Sequence, residues 1–401
     1  MLAVEERVRQ YMKKLEPEFI RHLRWLHQHP ELSFQEYETT SYIKEKLVSW
    51  GISLEESPVE TGVIALLKGR EEGPCIALRA DIDGLPVREE STNAFPSLQE
   101  GNMHACGHDT HTASLLGAAQ ILAALREEIR GSVKFIFQPA EEVSLGAKKL
   151  MEFDCLENPK VDAIFGLHNS PEIPIGTVAV KKGPLMASSD RIVFTVKGQG
   201  GHGGIPQRNA DPIVAAAAII QAVQTVVSRN VSPLDSAVIS ICNVKAGEGT
   251  VNNVTPHQVV MYGTVRAYKP EIQKLVEARL KSLTENICAA YGCQGSLDYI
   301  YELGVVDNAL SLYQAAYEAV VATGAQPVDP DPSTGGEDFS EFLKGAPGFF
   351  YWLGVRNEEN DCVYSWHSPH FKADERCVAI GAGTYAMSVF TGIETLCKKS
   401  L

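Results

Sequence analysis

The hydrophobic pattern changes period several times along the chain, and those changes predict the architecture. Up to about His29, Leu, Val and Ile recur at helical spacing among Glu, Arg and Lys, and Pro30 stops the run. A second helical pattern covers residues 36–50 and closes at Gly51, a candidate C-cap. Short β-rich runs follow at 63–67, 75–79 and 133–138, with a helix over 112–126 between the last two. Residues 163–167 form another all-apolar run. Strands that are apolar at every position and alternate with helices predict a mainly parallel α/β sheet, buried on both faces.

The character shifts near Leu185. Residues 191–197 alternate as a half-exposed strand should, and 198–204 are a glycine-dense loop. A helix over 213–227, strands over 237–244 and 258–267, and a helix over 272–291 follow. That order suggests a compact α+β insertion of the ferredoxin-like kind. From about Val305 the earlier pattern resumes. The expected fold is therefore α/β: a mainly parallel-sheet domain with helices on both faces, formed by 1–185 and 298–401, interrupted by an inserted α+β domain at 186–297.

Composition narrows the functional classes. Hydrophobic residues make up 44% and charged ones 21% of the 401 residues, the profile of a soluble globular protein. A formal net charge of −14 repels phosphate backbones and anionic membranes, so neither nucleic acid nor membrane is the expected partner. The amino terminus lacks the apolar core of a signal peptide. The uncharged stretch 212–228 is polar at Gln221, Gln224, Thr225 and Ser228 and falls short of the ~20 residues a span needs. It reads as a buried helix. Nine cysteines without framework spacing fit a reducing compartment, so cytoplasmic localisation is expected.

The densest chemistry lies just ahead of the 112–126 helix. Residues 103–111 contain Cys106, His104, His108 and His111, side chains suited to zinc-like divalent ions. Cys106 and His108 stand two apart, so extended backbone would point both the same way. Ligand-type residues also end apolar runs elsewhere: Asp81 and Asp83, the adjacent pair Glu141 and Glu142, and His168 with Asn169. Ser365 to His370 adds His367. Taken singly, each is an ordinary solvated carboxylate or satisfied histidine; their convergence at the strand ends of one domain points to a metal site. Of two adjacent glutamates, one can ligate while its neighbour takes a proton from water.

The segments RADIDGLPV, HACGHDTH, FQPAEE, GLHN, GPLMASSD, GQGGHGGIP, NVTP, GTVRAY, GGEDF and WHSPHF resemble, in order, the metal-dependent aminoacylase and carboxypeptidase superfamily. The resemblance is nearest to its branch of hippurate, auxin-conjugate and N-acyl-amino-acid amidohydrolases and spans about 26–386. It implies two divalent metal ions per subunit (Zn²⁺ or Mn²⁺, with Co²⁺ or Ni²⁺ as further options), held by Cys106, His108, Glu142, His168 and His367, with a Cys106 thiolate able to bridge. It implies Glu141 as general base and Asp83 as a support that orients ligands. Where the wider superfamily has a histidine this chain has Asp81, as the nearer branch does, and Asp81 is not counted as a ligand.

The same resemblance makes the insertion a lid and dimerisation domain, and the protein a homodimer or higher homo-oligomer. His202 would donate a hydrogen bond to a developing oxyanion, commonly from the partner subunit. Asn253 and Arg266 would hold the carboxylate of the substrate's amino-acid portion, and Gly336 would contact the substrate from a glycine-rich loop; His257 stands where the family usually has an acidic residue. The implied reaction is hydrolysis of an N-acetyl or N-aroyl amino acid, by metal-activated water, to a carboxylate and a free amino acid. Two other readings compete. Asp81-Ile82-Asp83 has the D-x-D form of manganese-dependent glycosyltransferases, and the ligands alone would suit a non-catalytic metal-dependent binding protein. Cys155 and Cys242 are expected as small buried hydrophobes.

Overall fold

The computed structural model describes residues 2–247 and 251–399. The chain divides into two compact units, Met1–Leu185 with Asp307–Asp331 and Asp338–Leu401, and Met186–Val306 with Pro332–Glu337.

The larger unit is built on an eight-stranded sheet. Its order is Ser53–Leu54, Val63–Lys68, Arg130–Gln138, Glu71–Asp81, Ala163–Pro174, Gly348–Arg356, Thr177–Ala179 and Gln326–Val328. Pairings from Arg130–Gln138 across to Gly348–Arg356 are parallel. Those of Val63–Lys68, and that of Thr177–Ala179 with Gly348–Arg356, are antiparallel, so the sheet is parallel at its centre and mixed toward its edges.

Both faces are covered, which is why the central strands are apolar at successive positions. Leu78, Phe135, Phe165 and Tyr351 join one core with the long helices Leu2–Gln28, His108–Ala124, Tyr313–Thr323 and Cys377–Lys399. Residues of the other parity face the short helix Gly146–Glu152 and the 3-10 helix Asp338–Lys344. On that face Gly166 leaves room for aromatic rings; a Cβ there would come within 2.7 Å of Phe350 and 2.8 Å of Phe339. Arg79, Asp81, Gln138 and His168 share the second parity, which gathers polar side chains where the central strands end.

The smaller unit is a four-stranded antiparallel sheet, ordered Ala237–Ala246, Gln258–Ala267, Ser189–Lys197 and Gln294–Leu303. Helices Pro212–Asn230 and Pro270–Ala290 pack on it around Phe194, Ile219, Val223, Met261, Val276 and Leu280. Its β-α-β-β-α-β order is ferredoxin-like.

Three expectations change here. The second crossing between units lies after Val306, not after 297, because Gln294–Leu303 pairs along Ser189–Lys197 as a fourth strand. The helix Pro212–Asn230 is buried on one side only: Ala215, Ile219, Val223 and Val226 face the core, while Ile213 and Val214 are 46% and 49% exposed. Cys242 is exposed rather than buried, because it sits at a register shift in the edge strand Ala237–Ala246.

Candidate metal centre

The local backbone around Cys106 is not extended as expected. Gly107 takes a left-handed conformation, φ +82°, and His108 opens the helix His108–Ala124. A Cβ on Gly107 would lie 2.3 Å from Nδ2 of Asn169, so both torsion and packing demand glycine. The turn still brings the Cys106 sulfur and a His108 ring nitrogen within 4.8 Å of each other.

The five expected ligands converge within the larger unit, with Glu141 and Asp83 beside them. Cys106 Sγ lies 3.4 Å from His168 Nε2. His108 Nε2 stands 3.8 Å from Glu142 Oε1 and 4.0 Å from Glu141 Oε2, and His367 Nε2 is 3.6 Å from Glu142 Oε2. Atoms held ~2.0–2.3 Å from one tetrahedral ion are themselves about 3.3–3.8 Å apart, the spacing seen here. Cys106, His108 and His168 form one ligand-type group, and Cys106, Glu142 and His367 form another, so the sulfur is common to both. His108 Nε2 and Glu142 Oε1 are buried without a hydrogen-bond partner, a costly arrangement unless a cation meets them. The donor set fits divalent metal.

Surrounding contacts orient these groups. Asp83 is buried and accepts the backbone N–H of Glu141 on Oδ1 and that of Glu142 on Oδ2, both at 3.1 Å. It also takes the Ser33 hydroxyl at 2.7 Å and lies 3.3 Å from His108 Nδ1, which turns Nε2 toward the two glutamates. His168 donates from Nδ1 to the Asn169 carbonyl at 2.7 Å, leaving the Nε2 lone pair toward Cys106. His367 sits at φ +63° with its N–H donated to Ala105 O at 2.9 Å.

His111 and Asp81 are occupied differently. His111 Nδ1 donates to Asp81 Oδ1 at 2.6 Å, while its Nε2 accepts from Asn169 at 2.8 Å. Asp81 also accepts from Arg79 Nη1 at 2.8 Å, and Arg79 reaches Gln138 and Asp338 at the same distance. Both His111 nitrogens are thus used inside the protein. His104 belongs to none of the ligand-type groups among the described residues. Single-residue patterns do not disclose the contacts of Asn169, Trp366, Ser33 or Arg79, most of whose partners lie far away in the chain.

The electrostatics follow from burial and crowding. Burial pushes the Cys106 thiol well above its ordinary range, against a smaller opposing pull from His108. Burial also pulls His168 well down, aided by neighbouring His111. For His108 burial works downward, but Asp81 and Asp83 together carry the imidazolium well up. Burial raises Glu142. A bound dication reverses this logic and deprotonates a coordinating thiol.

The remaining expected residues belong to the smaller unit. His202 is exposed and accepts the Gly204 N–H on Nδ1 at 3.0 Å. Asn253 is exposed, and its carbonyl accepts from Gly203 N at 2.7 Å. Arg266 does not present a free fork: Nε donates to Thr334 O at 3.2 Å, and Nη1 donates to Val265 O at 3.0 Å and to the Thr264 hydroxyl. Its guanidinium is braced by local oxygens. A Cβ on Gly336 would fall 2.9 Å from Leu303 Cδ1, the tip of a flexible side chain.

Residues 77–390 match the model of Peptidase family M20/M25/M40. An N-acetylcysteine deacetylase of Bacillus subtilis (strain 168) is 46% identical over 92% of this chain and 96% of its own length. An N-acetyl-L-cysteine deacetylase of the same organism is 41% identical over 92% and 86% respectively. A solved B. subtilis protein, described as a dinuclear metal binding peptidase from the M20 family, superimposes with a TM-score of 0.85 at 42% identity, covering 96% of this chain and 99% of that one. The ordered motifs, the paired ligand clusters and these matches agree: the chain belongs to Peptidase family M20/M25/M40.

Proposed function

We propose that the protein is a metal-dependent amidohydrolase that cleaves the amide bond of N-acyl amino acids, with N-acetyl amino acids as the first substrates to try. The observation that carries this reading is the cluster of Cys106, His108, Glu142, His168 and His367, with its buried unpartnered His108 Nε2 and Glu142 Oε1. The relatives named N-acetylcysteine deacetylase supply the substrate class. Two divalent ions are the proposed cofactors, zinc or manganese first because the site combines thiolate, imidazole and carboxylate, with cobalt or nickel as alternatives.

When bound, such ions acidify water and polarise an amide carbonyl. Glu141 then has the task of general base: it takes the proton as water adds to the carbonyl and returns it to the departing amine nitrogen. Its backbone N–H is held by Asp83, which keeps Glu141 and Glu142 in fixed register. For the oxyanion we propose His202. Because Nδ1 of His202 accepts from Gly204, a neutral ring carries its proton on Nε2, where it is a donor. Arg266, Asn253 and Gly336 are proposed for recognition of the amino-acid portion, with Arg266 pre-oriented by Thr264 and Thr334.

We further propose a homodimer through the smaller unit. Val238 and Val244 on the edge strand are 42% and 50% exposed, and Ile213 and Val214 are exposed on the neighbouring helix of that unit. All nine cysteines are free, which suits the cytoplasm. The D-x-D reading loses its support, because Asp81 is engaged by Arg79 and His111, and Asp83 by Ser33 and the Glu141–Glu142 backbone. A storage role leaves unexplained a second glutamate, Glu141, 4.0 Å from His108. The test is amino-acid release from N-acetyl, N-benzoyl and N-indoleacetyl amino acids. Release supports the reading and ranks the acyl groups; folded, metal-loaded protein that releases nothing contradicts it.

A further inference from the structure

We propose that Asn169 is a positioning residue that locks the three segments carrying Cys106, His168 and His367 into one register. Its side chain is fully buried and joins stretches of chain far apart in sequence. Nδ2 donates to the Cys106 carbonyl at 2.6 Å and to His111 Nε2 at 2.8 Å. Oδ1 accepts Trp366 Nε1–H at 3.0 Å, beside His367. The Asn169 carbonyl takes the Nδ1–H of His168 at 2.7 Å, and its own N–H binds His111 Nε2 at 2.8 Å. His111 is in turn fixed by Asp81.

Only an amide side chain meets these demands together. It needs two N–H donors for one carbonyl and one imidazole, plus an acceptor for an indole. Aspartate has no donor, and leucine of similar size has neither. The bare Cα of Gly107 lets Nδ2 approach, since any Cβ would overlap it. Loss of the amide frees the Cys106 carbonyl and the Trp366 indole at once. The Cys106 sulfur, His168 Nε2 and the His367 segment then lose their common reference. Outer partners of this kind typically change metal affinity or activity by about 10–100-fold.

The inference rests on Cys106, His168 and His367 being ligands, and the test separates the two ideas. Co²⁺-loaded wild type, Asn169→Ala, Trp366→Phe and Cys106→Ser proteins are compared by cobalt content, by the cobalt–thiolate absorption band and by the rate of cobalt loss to a chelator. Metal-free unfolding checks the fold. The expected result is a folded Asn169→Ala that loses cobalt about 10–100-fold faster, with a shifted thiolate band. Trp366→Phe, which removes a single hydrogen bond, shows a smaller acceleration confined to one of the two ions. Folded Asn169→Ala with wild-type release and an unchanged band overturns the proposal; if that variant unfolds, unchanged release in Trp366→Phe overturns it. A thiolate band that survives in Cys106→Ser defeats the ligand reading itself, and the positioning role falls with it.

Discussion

Cys106 presents its sulfur 3.4 Å from Nε2 of His168 across 62 residues of chain. Burial keeps both groups uncharged in the metal-free molecule, the thiol by raising its pKa and the imidazole by lowering it. A neutral pair facing each other gains little. With a cation between them both become strong donors, and the contact acquires a purpose.

Replacing the sulfur therefore removes metal first and activity as a consequence. Cys106→Ser and His168→Ala each lower affinity for Zn²⁺ or Mn²⁺ by more than the 10–100-fold typical of outer partners. Because both act on one site, the double variant loses far less than the sum of the two. Additive losses in equilibrium dialysis contradict this.

Glu141→Gln separates chemistry from binding. The substitution keeps the shape of the side chain and leaves the donor atoms of Cys106, His108, Glu142, His168 and His367 intact. Metal content stays at the wild-type value while kcat falls by roughly 10²–10⁴-fold, the range of a lost general base. Retention of more than a tenth of wild-type kcat excludes Glu141 as the base.

Asp83→Asn tests the brace under the glutamates. The new amide N–H₂ points at the Glu141 or Glu142 N–H, both 3.1 Å from the present oxygens. A buried donor then faces a donor, which costs about 3 kcal/mol. Calorimetry on metal-free protein should show a melting point lower by roughly 6–12 °C at 2–4 °C per kcal/mol. An unchanged melting point means that Asp83 is not bracing the loop.

His27 makes stability depend on alkaline pH. Burial lowers its pKa, but hydrogen bonds to Asp109 at 2.6 Å and Glu89 at 3.2 Å outweigh burial and bring it up to about 9. The folded state thus binds the proton more tightly than the unfolded chain. That contribution, on the order of 3 kcal/mol, is complete below pH 6.5 and fades as pH rises through 9. His22 works in the opposite sense: burial holds it at about 4, so its contribution is present above pH 6.5 and lost as pH falls toward 4. In urea titrations His27→Gln should flatten the slope between pH 6.5 and 9. A wild-type slope in that variant refutes the assignment.

The proposed dimer gives a sharp hydrodynamic outcome. Ile213 and Val244 are 46% and 50% exposed in the smaller unit. Ile213→Glu with Val244→Lys should convert a dimer to a monomer in sedimentation velocity without altering its circular dichroism. A double variant that stays dimeric places the interface elsewhere.

Much of this site was legible because ligand-type residues follow apolar runs, and strand ends in an α/β sheet converge in space. Asp83, Glu141 and His168 are of that kind. What the pattern concealed has local reasons. Gln294–Leu303 escaped as a strand because little of it is buried, so its alternation carries little apolar signal. The turn at Gly107 replaced extended backbone because its left-handed torsion is set jointly with Asn169. Asn169 itself contacts residues 63 and 197 positions away, and no sequence period encodes such contacts. Cys242 misled because a cysteine on an edge strand looks the same in sequence as one in a core.

The most direct test of the central claim is a metal titration followed by product. Metal-stripped protein receives Mn²⁺ or Zn²⁺ in fractions of an equivalent, and free cysteine released from N-acetyl-L-cysteine is measured at each point. The account predicts negligible release without metal and, on adding metal, a rise to a plateau at two ions per chain that is abolished in Cys106→Ser. Full release from stripped protein, or a plateau unaffected by loss of Cys106, would contradict it.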